Sequence, residues 1–204
     1  MKAFIEICRF ILTPIFSTFL RVKVYDRDKV IKEGPVIFAA NHETMIDMIF
    51  IEYKIKRHIR WMAKAELFEK KFLGAFLRFL QAFPVRRGTM DISAAKMVFT
   101  ILKEGGTIGI FPQGTRSKGK GRAVKARHGV AKFAVEAGVP IQPVAIYGDF
   151  KLFGKIKIRY GNPIYFEKKA DGTNYTREEY TEMAQQVLDY IYDLTEVPDG
   201  NSKS

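Results

Sequence analysis

The sequence predicts a single α/β domain: a central sheet, mixed and largely parallel, flanked by helices. Short apolar runs bounded by Gly and Pro recur along the chain and read as strands. Stretches with helical apolar spacing fill the gaps between them, and that alternation is the mark of an α/β layer fold. No linker or internal repeat divides the 204 residues, a length that fits one core. With 47% hydrophobic and 27% charged residues, disorder is not expected away from the ends.

Residues 1–21 form the first unit. Polar side chains fall at Lys2, Glu6, Arg9, Thr13, Ser17 and Arg21, one narrow helical stripe, and nearly everything between is apolar. Glu6, Arg9 and Pro14 argue against a membrane span, and no small-residue cleavage site follows. The pattern predicts an amphipathic interfacial segment with its apolar arc in lipid, kinked near Thr13; a helix packed on the protein's own core is the competing reading.

The main domain is expected over 22–194. Its strands are read at 22–25, 36–40, 59–63, 82–85, 107–111, 141–147 and 156–160. Helices are expected at 47–54, opening on Asp47; at 70–81, apolar and basic; and at 91–104, which Gly105-Gly106 stop. Another is read over 123–137, ending at Gly138. The last opens at Thr176-Arg177-Glu178-Glu179, a capping-box pattern, and runs through Tyr180, Met183, Val187, Tyr190 and Leu194. Residues 195–204 read as a flexible tail.

Charge is unevenly spread. Residues 166–204 carry nine acids against four bases, a net of −5, which leaves +17 of the total +12 on residues 1–165. Such a field favours anionic partners: a phosphorylated substrate, an anionic membrane surface, or nucleic acid. No recognition-helix or RNA-binding motif accompanies it, so nucleic acid is not expected. One cysteine, Cys8, excludes an internal disulfide and suits a reducing cytosolic setting. His42, His58 and His128 lack paired ligand spacing, so no metal site is expected.

Two loops carry the chemistry. Asn41-His42-Glu43-Thr44-Met45-Ile46-Asp47 follows a buried strand and sets an imidazole five positions before a carboxylate. In a compact turn Asp47 can orient one ring nitrogen, leaving the other to deprotonate a substrate hydroxyl. Asn41 can brace the loop or donate to an oxyanion. Taken alone, the pair also fits a polar core histidine with Asp47 as a helix N-cap. Phe111-Pro112-Gln113-Gly114-Thr115-Arg116-Ser117 follows a second strand. There Gly114 permits close approach, Thr115 and Ser117 offer hydroxyls, and Arg116 can grip a phosphate. An ordinary glycine turn with solvated bases is the plainer alternative.

These stretches resemble the glycerolipid acyltransferase family, typified by 1-acylglycerol-3-phosphate (lysophosphatidate) acyltransferases. Asn41-His42-x4-Asp47 is followed by Ala63-Lys64-Ala65-Glu66-Leu67, Gly74, Phe83-Pro84-Val85-Arg86-Arg87-Gly88, the 111–117 loop and Val139-Pro140-Ile141-Gln142-Pro143-Val144. They occur in family order across roughly residues 20–160. The resemblance implies transfer of a fatty acyl chain from acyl-CoA or acyl-carrier protein to the free hydroxyl of a lysophospholipid acceptor, 1-acylglycerol 3-phosphate, giving phosphatidate. No cofactor beyond the acyl donor is implied, and the place implied is the cytoplasmic face of the cell membrane, monotopic or peripheral. His42 would be the base and Asp47 its partner. Lys64 and Arg116 would hold the acceptor phosphate with Arg87 or Arg86, Gly114 and Thr115 would shape the turn, and Pro140 with its apolar neighbours would border the acyl groove, an ordinary core strand being the equal alternative for that stretch. The family usually has glutamate where this chain has Gln113, so positioning by hydrogen bonding replaces any proton-transfer role there. His58 and His128 match no catalytic position and are expected at the surface. A related enzyme using glycerol 3-phosphate or another lysolipid, a hydrolase on the same fold, and a non-catalytic basic membrane-binding protein are the alternatives.

Overall fold

The computed structural model describes residues 21–86, 91–151 and 153–198. The membrane-segment expectation for residues 1–21 therefore falls almost entirely outside the described residues, as does the tail from residue 199.

Every residue of Val36–Ala40 is buried, which requires a strand covered on both faces. This strand, β2, sits in the middle of a seven-stranded sheet. The others are β1 (Lys23–Tyr25), β3 (Arg60–Lys64), β4 (Phe83–Val85), β5 (Thr107–Ile110), β6 (Ile141–Gly148) and β7 (Ile156–Tyr160), in the order β1-β7-β6-β2-β5-β3-β4. Neighbours are parallel except β6 and β7, which pair antiparallel, so the sheet is mixed and largely parallel as expected.

Alternation along β2 splits the core in two. Ile37 and Ala39 face a layer built by α3 (Ile92–Lys103), α4 (Gly129–Ala137) and α5 (Arg177–Glu196). Val36, Phe38 and Ala40 face α1 (Asp47–Glu52) and α2 (Lys71–Phe79). Burying the two faces of a strand this apolar is the dominant favourable term, about 25 cal/mol per Å² of apolar surface.

Most element boundaries differ from expectation by a residue or two. Helix α4 starts at Gly129 rather than at 123, after a 3-10 turn at Gly121–Ala123. The N–H groups of Ala126 and Arg127 donate to Gln185 Oε1 and Pro112 O, and donors spent on tertiary partners cannot build a helix. Strand β3 ends at Lys64, one residue later than read. Helix α5 runs to Glu196, and the carbonyls of Val197 and Pro198 accept from the buried Arg159 guanidinium. The expected capping box is present: Thr176 Oγ1 accepts from Glu179 N, and Glu179 Oε2 accepts from Thr176 N. Such a cap contributes about 1 kcal/mol.

Topology positions the site. From β2 the chain passes beyond β5 to β3, whereas from β5 it crosses past β2 to β6. Adjacent parallel strands whose connections depart in opposite directions open a crevice at their carboxyl ends, where α/β folds bind ligands.

Candidate active site

The two loops singled out in the sequence leave from that crevice. Ala39 pairs with Ile110, so the residues following β2 and β5 run side by side. His42 N donates to Gln113 Oε1 at 2.9 Å, and Ser117 N donates to His42 O at 2.7 Å. The histidine is thus held by its backbone at both ends, each time by the second loop.

Its side chain is fixed as firmly. His42 Nδ1 lies 2.8 Å from Asp47 Oδ2. Asp47 is fully buried at the first position of α1, and its carboxylate also accepts from Glu43 N at 2.7 Å, Thr44 N at 2.9 Å and Thr44 Oγ1 at 2.5 Å. A carboxylate among these donors acts as an acceptor, so the proton of a neutral imidazole sits on Nδ1 and Nε2 keeps its lone pair. The His42 ring stacks on Phe111 at 3.9 Å, and Phe111 stacks on the buried Trp61 at 4.8 Å. Trp61 is anchored in turn by Nε1 donating to Glu52 Oε1. The imidazole therefore has one orientation, set by a carboxylate on its edge and an aromatic column on its face.

Gln113 is buried and bridges two elements: besides accepting from His42 N, its Nε2 donates to Tyr192 OH of α5 at 2.9 Å. Burial, then the nearby Glu43 charge, pushes the Tyr192 phenol above its ordinary range. Asn41 is buried and spends both Nδ2 hydrogens, on Ile146 O and Glu43 Oε1, while its Oδ1 accepts from Ile146 N. These bonds tie the start of the His42 turn to β6.

Gly114 adopts φ +66°, and a Cβ there would meet Arg127 Cδ and Nε at 2.8 Å. Thr115 and Arg116 are exposed beside it. Lys64 ends β3 at the same carboxyl edge, with its ammonium 3.0 Å from Glu66 Oε1. Arg86 follows β4 at this edge too, whereas Arg87 lies outside the described residues. Pro140 does not fit the acyl-groove expectation: it precedes β6, and its carbonyl accepts from Ile37 N at the amino edge, the far end from His42. His58 and His128, expected at the surface, are half-buried.

Sequence reasoning missed several contributors: Trp61, Tyr192, and Gly109, where a Cβ would lie 2.4 Å from the Trp61 ring. Only the glycine left a signal, as an isolated Gly within an apolar strand pattern, which marks close approach.

A buried carboxylate thus orients a half-buried imidazole, and the adjoining loop carries a glycine turn followed by an exposed arginine. The chain belongs to the family described as Acyltransferase, whose family model matches residues 21–147. It is 34% identical over 166 residues to the 1-acyl-sn-glycerol-3-phosphate acyltransferase of Bacillus subtilis, covering 78% of this chain and 82% of that protein. The enzyme of the same name from Streptococcus pneumoniae is 31% identical over 135 residues, covering 63% of this chain and 49% of that protein. In fold the chain is similar to the crystal structure of the 1-acyl-sn-glycerophosphate (LPA) acyltransferase PlsC from Thermotoga maritima, with a TM-score of 0.62 at 22% identity. That likeness covers 95% of this chain and 84% of the other.

Proposed function

We propose that this acyltransferase moves a fatty acyl chain from an acyl thioester, acyl-CoA or acyl-carrier protein, to the free hydroxyl of 1-acylglycerol 3-phosphate, giving phosphatidate for phospholipid synthesis. The observation that carries the reading is the seam between the two loops. The Ser117 N–H bond to His42 O sets Arg116 one residue from the histidine's own tether. The names of the relatives supply the acceptor.

In this mechanism His42 Nε2 takes the proton of the acceptor hydroxyl as its oxygen attacks the thioester carbonyl. Asp47 stabilises the imidazolium that forms. The tetrahedral adduct then expels the thiolate, which takes the proton back from Nε2 and leaves as free thiol. Arg116, with Lys64, Arg87 and the Gly114–Thr115 turn, holds the acceptor phosphate. The imidazole and the arginine thereby fix the hydroxyl by the two ends of one glycerol unit, which is where proximity gains arise.

The working place is the cytoplasmic face of the cell membrane, as a peripheral or monotopic protein. Support comes from the basic field of residues 1–165 and from apolar side chains exposed at the catalytic edge. Met45 and Ile46 protrude from the His42 turn, and Phe72, 87% exposed, opens α2. Among the described residues no helix is long and apolar enough to cross a membrane.

The test is an acceptor panel. Purified protein is incubated with acyl-CoA or acyl-carrier-protein thioesters and with lysophosphatidate, glycerol 3-phosphate or neutral lysolipids, and products are identified by mass. Lysophosphatidate is expected to give phosphatidate, and Arg116→Ala to raise the KM for lysophosphatidate. Thioester consumption without an acylated acceptor would reassign the protein as a hydrolase; preference for a neutral lysolipid would remove Arg116 from its role.

A further inference from the structure

Gln113 brings a neutral amide to the seam between the two loops. The residue directly after the histidine, Glu43, brings a carboxylate to the same seam by another route. One oxygen, Oε1, accepts from Asn41 Nδ2 at 3.0 Å, and the other, Oε2, accepts from the hydroxyl of the buried Ser117. Asn41 is itself locked to β6 by two hydrogen bonds with the Ile146 backbone. A continuous line therefore runs from the sheet through Asn41 and Glu43 to Ser117, the residue after Arg116.

We propose that Glu43 is a positioning residue for acceptor binding: it clamps Ser117 to the sheet and so holds Arg116 where the substrate phosphate arrives. The inference rests on the reading of Arg116 as the phosphate anchor. Three observations carry it. The carboxylate spans two elements 74 residues apart in sequence, although it is offered by a turn residue that had solvent available. Ser117 has its N–H on His42 O and its hydroxyl on Glu43, so both of its donors end on the His42 turn. The Glu43 backbone N–H is already committed to Asp47, which leaves its side chain free to serve the phosphate loop without loosening the His42–Asp47 pair. Without the clamp, Arg116 would sample more orientations, and acceptor binding would weaken before chemistry did.

Steady-state kinetics on the full chain with lysophosphatidate and acyl-CoA test this. Glu43→Ala and Ser117→Ala are each expected to raise the lysophosphatidate KM about tenfold, the worth of one hydrogen bond to a charged group. The donor KM should stay put and kcat should change by no more than about twofold. The double variant should be no worse than the poorer single one, because both remove the same contact. Glu43→Gln can accept from Asn41 through Oε1 and donate to Ser117 through Nε2, and should keep the acceptor KM within about threefold of wild type. An unchanged acceptor KM in Glu43→Ala overturns the proposal, as do effects that multiply in the double variant. If Glu43→Ala does not fold, Ser117→Ala decides alone, and an unchanged acceptor KM there overturns it equally. Failure of the wild type to acylate any phosphorylated acceptor would instead defeat the functional reading itself.

Discussion

Replacing Asp47 by Asn isolates the charge that the proposed mechanism needs. The amide can sit with its oxygen where Oδ2 is, still accepting from His42 Nδ1, Glu43 N and Thr44 N. Its NH2 then faces the Thr44 hydroxyl, which can turn to accept, while Thr44 N loses the second bond it made to Oδ1 and keeps the one to the amide oxygen. The turn and the tautomer are thus kept, and what disappears is the negative charge opposite the imidazolium. At the observed 2.8 Å, an effective dielectric of about 20 puts the lost attraction near 6 kcal/mol as a ceiling. The difference between a charged and a neutral hydrogen bond, up to about 2 kcal/mol, gives the floor. At about 1.4 kcal/mol per decade, kcat should fall between about 30-fold and 10⁴-fold. The assay follows thiol release and acylated product at saturating donor and acceptor, with a melting curve to confirm the fold. A folded Asp47→Asn protein whose kcat stays within about fivefold of wild type would refute the reasoning, because no charged partner for His42 would then be required.

Two further outcomes are expected elsewhere. Gly109→Ala would push a methyl group into the Trp61 ring and, through Phe111, tilt His42. It should destabilise by about 1–3 kcal/mol and lower kcat at least tenfold, and an unchanged kcat would show that the aromatic column does not set the imidazole. His128 is held below its ordinary 6.5 by burial first, then by Arg177, Lys132 and Arg127. The unfolded chain therefore takes up this proton more readily than the folded one, and stability is lost as pH falls through about 6.5. Melting should drop between pH 7 and pH 5, and His128→Gln should narrow that drop. An equal drop in both proteins would assign the loss to other groups.

Strands were legible as short apolar runs, five of the seven with Gly or Pro in or near them: β2 and β7 appear at the very residues read, and the rest within one residue at either end. The segment 123–128 misled because its apolar spacing is helical while its amides serve Pro112 and Gln185, partners that periodicity cannot reveal. The His42–Asp47 contact was legible because a turn of that length closes locally. Pro140 was misplaced because a short motif carries no information about which edge of the sheet it occupies, and that depends on strand direction. Tyr192 was beyond reach for a related reason. It meets Gln113 across 79 residues, and one tyrosine on an amphipathic helix looks like any other core aromatic. Gln113 itself was read as a hydrogen-bonding residue, and the two bonds it makes are of that kind.

The central claim concerns the proton that His42 removes from the acceptor. Single-turnover acyl transfer to lysophosphatidate, measured by product mass with wild type and His42→Ala under saturating thioester, tests it most directly. Transfer should fall by about 10²- to 10⁴-fold while melting and vesicle binding are retained. A variant that folds, binds vesicles and still transfers at more than about a tenth of the wild-type rate would contradict the account.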